Sequence, residues 1–394
     1  MFRFIAVLII EILCGTEIDL FIPSLPELQK TYDLSPALVQ LTLSVNFVAF
    51  CICGLFAGTF GDRYNRRHVI LASLFIFVLG SIFCVGAINF PMLIVGRFLQ
   101  GMGIAGPSIL GYVVLADEYP VEKQPALMGI LNGITTLSMS FAPVIGSYVN
   151  LYFNWRANFI LLLGLGIISF ISSYLTIPHK KGNPRVSVSL AAYLPLLVSP
   201  KLLNYLLSIN LLIVAWWVFV GMAPILYMED LSVPLKYFGY YQGSVALAFS
   251  VTSIMNIKLL KLFNQKSIFN FGKWLCCISA ILILLISLLR ISNPLVITIS
   301  IIFFSIGLAF TFNILYPYSL EVLENAKGRI AALLQSSRLL MTAFSLEIVS
   351  YYYQGQFLPI GIAMFVIILL SFITMQKLLS KKWLMLGSEA QMVS

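Results

Sequence analysis

The chain has 394 residues, of which 60% are hydrophobic and only 10% charged. Soluble domains carry about 25% charged residues, so this composition excludes a water-soluble globular protein and points to an integral membrane protein. The formal net charge is +9, but its placement along the chain reports membrane orientation and excludes the reading of a nucleic-acid binder.

Taken in chain order, apolar runs bounded by charged or turn residues cover 4–23, 38–60, 69–88, 92–115, 126–150, 157–177, 202–226, 237–262, 267–290, 294–316, 327–350 and 356–379. Nearly all are close to 20 residues, the length at which a helix crosses a hydrocarbon core. The expected fold class is therefore all-α integral membrane, with twelve transmembrane helices. The first run has no small-residue cleavage site and carries three acids, so a signal peptide is not expected. A polar stretch then splits the chain into an N-terminal six-helix bundle (1–177), a cytoplasmic linker (178–201) and a C-terminal six-helix bundle with a short cytoplasmic tail (202–394). A six-plus-six layout is that of a transporter built from two pseudo-equivalent bundles.

Most Lys and Arg fall in the N-terminus, the even-numbered loops and the tail. Lys30, Arg156, Lys236 and Arg290 fall in odd-numbered loops, and Arg97 and Arg338 inside spans. By the positive-inside rule both termini are expected in the cytoplasm. His68 and His179 fall in the basic loops and are expected to be solvated. The six cysteines lie in apolar spans without metal-ligand or disulfide spacing. No metal or cofactor is expected. Without a His in a span or a nucleophile–base pair, an enzyme is not expected either. The internal repeat looks weak at residue level: Gly61–His68 reads GDRYNRRH, whereas its counterpart Lys261–Ser267 reads KLFNQKS, basic but without the Asp.

The chemistry concentrates in span one, which holds Glu11, Glu17 and Asp19. An acid at the centre of a membrane helix costs about 2.5–3.5 kcal/mol. One acid could be a structural hydrogen-bonder; three together point to a wet cavity where acids carry protons or bind a cation. On a continuous helix Glu11 and Asp19 are about 80° and about 12 Å apart, so they could line one cavity at two depths, while Glu17 faces about 160° from Asp19. Glu17 and Arg338 are unusual charges that could compensate each other, since one buried pair costs less than two lone charges. Alternatively, Glu17 sits near the periplasmic interface and Arg338 pairs with another acid or with water. Candidate substrate contacts are Glu11, Asp19, Asn46, Tyr112, Asn132, Trp216, Trp217, Met222 and Asn313, polar and aromatic groups suited to a lipophilic ligand.

GDRYNRR at 61–67 resembles the loop signature of the major facilitator superfamily, and the likeness extends over the whole chain. The resemblance implies the major facilitator fold and a gating latch at Gly61, Asp62, Arg63, Arg66 and Arg67. RFLQGMG (Arg97–Gly103) is similar to that family's buried-arginine motif, and the stretch around Pro143 and Gly146 resembles part of its antiporter motif, with Ala142 and Ser147 where the family has glycines. More narrowly, the chain resembles the drug/proton antiporters, among them the MdfA-like multidrug transporters. Glu11 and Asp19, Pro23, Gly111-Tyr112 with Asp117-Glu118, Leu320–Leu334 and Glu347-Ile348 carry that likeness. Asn154-Trp155-Arg156 is closer to the bicyclomycin-resistance branch. Glu17 and Arg338 depart from the MdfA-like pattern.

The resemblance implies a monomeric exporter in a bacterial inner membrane that exchanges small lipophilic molecules for protons. Asp19 is the first expected proton carrier, Glu11 a second site, and Arg97 a modulator of both. A specific metabolite exporter such as one for a siderophore, an uptake symporter and a non-transporting sensor are the alternatives.

Overall fold

The computed structural model describes residues 2–118, 124–179, 193–323 and 327–384. Among the described residues the regular structure is entirely helical, as expected for the class.

The first apolar run does not form one helix. Helix α1 spans Phe2–Thr16, residues 17–21 form turns, Ile22–Ser24 makes one 3₁₀ turn, and the short α2 spans Leu25–Thr31. Two prolines keep a regular α-helix from resuming through the following turns. Pro23 has no N–H for the Asp19 carbonyl, and Pro26 has none for that of Ile22. The Thr16 hydroxyl also bonds back to the Ile12 carbonyl at 2.8 Å, a side-chain competition typical of helix ends. Glu17 and Asp19 therefore lie just beyond α1 rather than on one continuous helix.

Helix α3 (Pro36–Arg63) starts at Ser35, whose Oγ accepts from the Leu38 N–H, with Pro36 at the first helical position. Asn65 caps α4 (Arg66–Val85) by accepting from the Arg67 N–H at 2.9 Å. Helices α5 (Phe90–Glu118), α6 (Gln124–Phe153) and α7 (Trp155–Thr176) follow. Asn154 caps α7 from a left-handed conformation at φ 98°. The second half comprises α8 (Leu194–Val198), α9 (Pro200–Pro224) running into a π turn at Ile225–Asp230, α10 (Leu235–Leu262), α11 (Gln265–Leu288), α12 (Pro294–Leu320), α13 (Lys327–Tyr351) and α14 (Leu358–Ser380).

Helices α3 to α7 and α9 to α14 correspond to expected spans two to twelve. Among the described residues, nine helices are long and apolar enough to cross a membrane by themselves. Helix α1, at 15 residues, and α13, which carries Arg329, Arg338 and Glu347, are not among them.

Two compact units divide the chain: Met1–Ser189 with Val233–Gly243, and Leu190–Ser232 with Ser244–Ser394. The start of α10 therefore belongs with the first unit. In that unit α4 packs on α5 and α7, and α1 on α6 and α7; in the second, α11 packs on α12 and α14, and α9 on α13 and α14. The second set repeats the first.

The repeat reaches individual residues, which corrects the expectation of a repeat in topology alone. A Cβ on Gly96 of α5 would lie 2.6 Å from Cys84 Sγ and 2.9 Å from the Gly80 carbonyl of α4. One on Gly307 of α12 would lie 2.8 Å from Cys276 Sγ and 3.0 Å from the Gly272 carbonyl of α11. In both units a Gly-x-x-x-Cys face on one helix receives a bare glycine from the next. In the first unit the Cys84 thiol also donates to Gln100 Oε1, four residues beyond that glycine, at 3.5 Å.

Candidate functional site

Glu17, in the turn after α1, is 2% exposed, and its Oε1 takes Arg97 Nη1 at 2.9 Å and Asn46 Nδ2 at 2.8 Å. Arg97 of α5 is fully buried. Its Nε donates to the Thr42 carbonyl of α3 at 3.1 Å and its Nη1 also reaches Gln100 Oε1 at 2.8 Å, while Nη2 is buried without a partner. The guanidinium lies over the Phe21 ring, 5.0 Å from its centroid, with Phe159 of α7 at 5.9 Å. Gln100 continues the chain by donating to Ser81 Oγ of α4 at 2.9 Å. The expected Glu17–Arg338 pair is corrected accordingly: Glu17 is neutralised within its own unit by Arg97. Asn46 Nδ2 also donates to the Arg97 carbonyl at 3.1 Å, while its Oδ1 is buried without a partner among the described residues.

The glycines of RFLQGMG set this geometry. A Cβ on Gly101 would run into the Asn46 carbonyl oxygen, and one on Gly103 into the Phe77 amide nitrogen. Their absence of side chains lets α3 and α4 close on α5 and bring Asn46 and Ser81 within hydrogen-bond reach.

The other two acids have no cation beside them among the described residues. Glu11 of α1 is 2% exposed. Its Oε2 meets Thr135 Oγ1 of α6 at 2.7 Å and the Tyr112 hydroxyl of α5 at 3.4 Å, and its Oε1 is buried without a partner. Asp19 is 3% exposed and receives Gln242 Nε2 of α10 at 3.5 Å, a long bond. The antiporter-like stretch packs on the same turn: a Cβ on Gly146 would strike the Leu20 carbonyl oxygen, and the Gly146 carbonyl accepts from Asn158 Nδ2 at 3.2 Å. Pro143 sits inside α6 one turn earlier.

The structure thus gathers Glu11, Tyr112, Glu17, Asp19, Asn46, Arg97, Pro143 and Gly146 in the first unit. Trp216, Trp217, Met222 and Asn313 belong to the second. Met222 is fully enclosed there, Trp217 is 7% exposed, and the Trp216 indole donates to Ser305 Oγ at 3.0 Å. The side chains of Asp62, Asn132, Asp117 and Glu118 lie outside the described residues.

Of the latch residues, Gly61 faces Leu110 of α5 closely. Arg66 Nη1 donates to the Val113 carbonyl of α5 at 3.4 Å, and Arg67 Nη2 to the Tyr174 carbonyl of α7 at 2.7 Å. Arg67 thereby meets the last turn of α7, where helix carbonyls point outward. Arg63 lies over the Tyr64 ring at 5.5 Å. His68 and His179 are exposed, as expected, but paired, with ring centroids 5.0 Å apart and His179 Nδ1 3.0 Å from Asn65 Nδ2.

Three contributors escaped the sequence reading. Thr135 is one Thr among several and gave no signal. Gln242 is an uncharged polar residue in span eight. Lys273 is a charge inside the run 267–290 and could have been counted with Arg97 and Arg338. It is 4% exposed, bonds Gln376 Oε1 at 3.4 Å, and lies 5.6 Å from the Trp274 ring.

Polytopic helical units with buried acids and a buried arginine define the class of a membrane transporter. The sequence model of the Major Facilitator Superfamily matches residues 7–346. The chain belongs to that superfamily. It is similar to the "Multidrug resistance protein MdtL" of Klebsiella pneumoniae, 25% identical over 61% of this chain and 60% of the relative. The "Bicyclomycin resistance protein homolog" of Haemophilus influenzae is 30% identical over 57% of this chain and 58% of its own. The similarity therefore spans about 60% of the length of these curated relatives. The "Uncharacterized MFS-type transporter YdgK" of Bacillus subtilis is 26% identical over 91% of this chain and 90% of its own. Among solved structures, a D-xylose-proton symporter superposes with a TM-score of 0.77 at 14% identity, covering 93% of this chain and 96% of that one; at that identity the likeness is one of fold.

Proposed function

We propose that this transporter exports lipophilic small molecules from the bacterial cytoplasm in exchange for protons, by alternating access, as a monomer in the inner membrane with both termini cytoplasmic. One observation carries the reading. Glu11 and Asp19 are buried without a counter-cation among the described residues, whereas Glu17 has one in Arg97. A buried carboxyl without a partner avoids a large desolvation penalty by taking a proton or a cationic ligand. Asp19 and Glu11 are therefore the groups that load and unload protons as their surroundings change between the two access states. Arg97 acts on them by holding Glu17 and the turn that bears Asp19. The multidrug and bicyclomycin-resistance names of the relatives agree with efflux as the direction. Asp62 and its basic neighbours form the cytoplasmic latch in this mechanism.

The test is substrate-driven proton flux in energised inverted vesicles, with a panel of lipophilic drugs and small metabolites, for the wild type, Asp19→Asn and Glu11→Gln. Dissipation of the pH gradient by several unrelated drugs, abolished in Asp19→Asn and at least tenfold weaker in Glu11→Gln, is the expected result. A response to a single metabolite would replace multidrug efflux with a specific exporter. Drug-driven flux that survives both substitutions would remove the two acids from the proton path.

A further inference from the structure

Among the described residues, Arg338 of the second unit has no acid recorded beside it. Arg338 lies on α13, partly exposed, with Nε buried and without a hydrogen-bond partner among the described residues. The acid on its own helix, Glu347, is nine residues further on. That is half a turn around the helix and about 13 Å along it, so it faces away. What does lie near the guanidinium is Tyr316 of α12, close enough to interact with it electrostatically.

Asn313 sits one turn before Tyr316 on the same face. Its Nδ2 is likewise buried without a partner among the described residues. Apolar rings flank these groups: Phe312 lies 5.3 Å from Tyr316, and Phe249 of α10 lies 6.3 Å from Phe312. Both orphaned atoms are donors, and a guanidinium has no acceptor at all. A buried donor left unmade costs about 1–3 kcal/mol, and more when charged. An anion completes this arrangement, since a carboxylate or sulfonate accepts from a guanidinium fork and an amide together. A cation gains nothing there.

We propose that Arg338 and Asn313 bind the anionic group of the transported molecule, with its ring system resting on Phe249, Phe312 and Tyr316, so that the substrates include lipophilic organic anions or zwitterions. The proposal rests on the transporter reading above and narrows its substrate class.

Direct binding to the purified full-length transporter tests it, with radiolabelled 1-naphthoate, its neutral methyl ester, and tetraphenylphosphonium as a cation of comparable bulk. The wild type binds naphthoate at least tenfold more tightly than the ester. Arg338→Gln abolishes that preference, Asn313→Ala lowers it several-fold, and Arg338→Lys, which keeps the charge but loses the fork, retains part of it. Tetraphenylphosphonium binding serves as the measure that each variant still has a folded cavity. Should Arg338→Gln fail to fold, judged by its gel-filtration profile, Arg338→Lys and Asn313→Ala carry the test. Equal affinity for acid and ester, a preference that survives these substitutions, or no binding of naphthoate overturns the proposal. Proton-coupled drug efflux that persists without an Arg338-dependent anion preference sinks this inference alone. Anion binding through Arg338 without any coupled flux sinks only the efflux reading.

Discussion

Two carboxyls in the first unit differ in what stands opposite them. Glu17 faces Arg97 at 2.9 Å with both side chains out of solvent. Removing one member of a buried pair typically costs about 3–5 kcal/mol, because the other charge is left unpaired, whereas removing both costs far less. Glu17→Gln should therefore lower the thermal unfolding midpoint in detergent steeply, and Glu17→Gln with Arg97→Gln should recover much of it. Arg338→Gln should add independently to Glu17→Gln; non-additive behaviour of that second pair would revive the sequence-based pairing. Glu11 has instead a hydroxyl that can serve it in two states. The single proton of Thr135 has two acceptors, the Leu131 carbonyl at 2.9 Å and Glu11 Oε2 at 2.7 Å. A protonated Glu11 can donate to Thr135 while Thr135 donates to Leu131; an ionised Glu11 takes the Thr135 proton directly. Thr135→Val should therefore cut proton-coupled flux about tenfold, the equivalent of one lost hydrogen bond of about 1.4 kcal/mol, while Thr135→Ser should retain it.

At the level of elements, the interrupted first span and the glycine–cysteine faces do most to position the site. Glu17, the residue after α1, meets Arg97, and Asp19 lies in a turn that Gly146 abuts at Leu20. The paired α4–α5 and α11–α12 contacts depend on glycines with no room for a methyl group. Gly96→Ala and Gly307→Ala should each lower the unfolding midpoint, and by similar amounts, since the groups met by the new Cβ are equivalent in the two units. Gly164→Ala is the control: nothing lies within 4 Å of the added Cβ, so the gain in helix propensity should leave stability unchanged or slightly raised. A neutral Gly307→Ala beside a damaging Gly96→Ala would show that the two faces are not energetically equivalent.

For the whole molecule, orientation is the property that charge placement dictates. The positive-inside rule predicts that the excess of Lys and Arg in the N-terminus, even-numbered loops and tail stays on the cytoplasmic side during insertion. A green fluorescent protein fused after Ser394 should fluoresce in cells, because it matures in the cytoplasm, whereas alkaline phosphatase fused at the same point should be inactive. The reverse pattern would invert the topology, and with it the side from which Asp19 takes its proton.

The helical class and eleven of the spans were legible because burial in lipid demands runs of about 20 apolar residues and internally satisfied backbones, a one-dimensional signal. The burial of Arg97, Glu11 and Asp19 was legible for the same reason, charge being costly in an apolar run. Which charge answers which was not. Glu17 and Arg97 are 80 residues apart; the close approach of α3 and α4 to α5 brings acid, amide and guanidinium together. The Thr135 contact and the repeated Gly–Cys faces were hidden likewise, since small and weakly polar residues say nothing by themselves about which helix will lie against them. Composition and charge fixed that this chain crosses a membrane and where polar chemistry had to be paid for; the partners of each polar group were decided by helix packing, because hydrogen bonds and ion pairs act over a few ångströms that no spacing along the chain can encode.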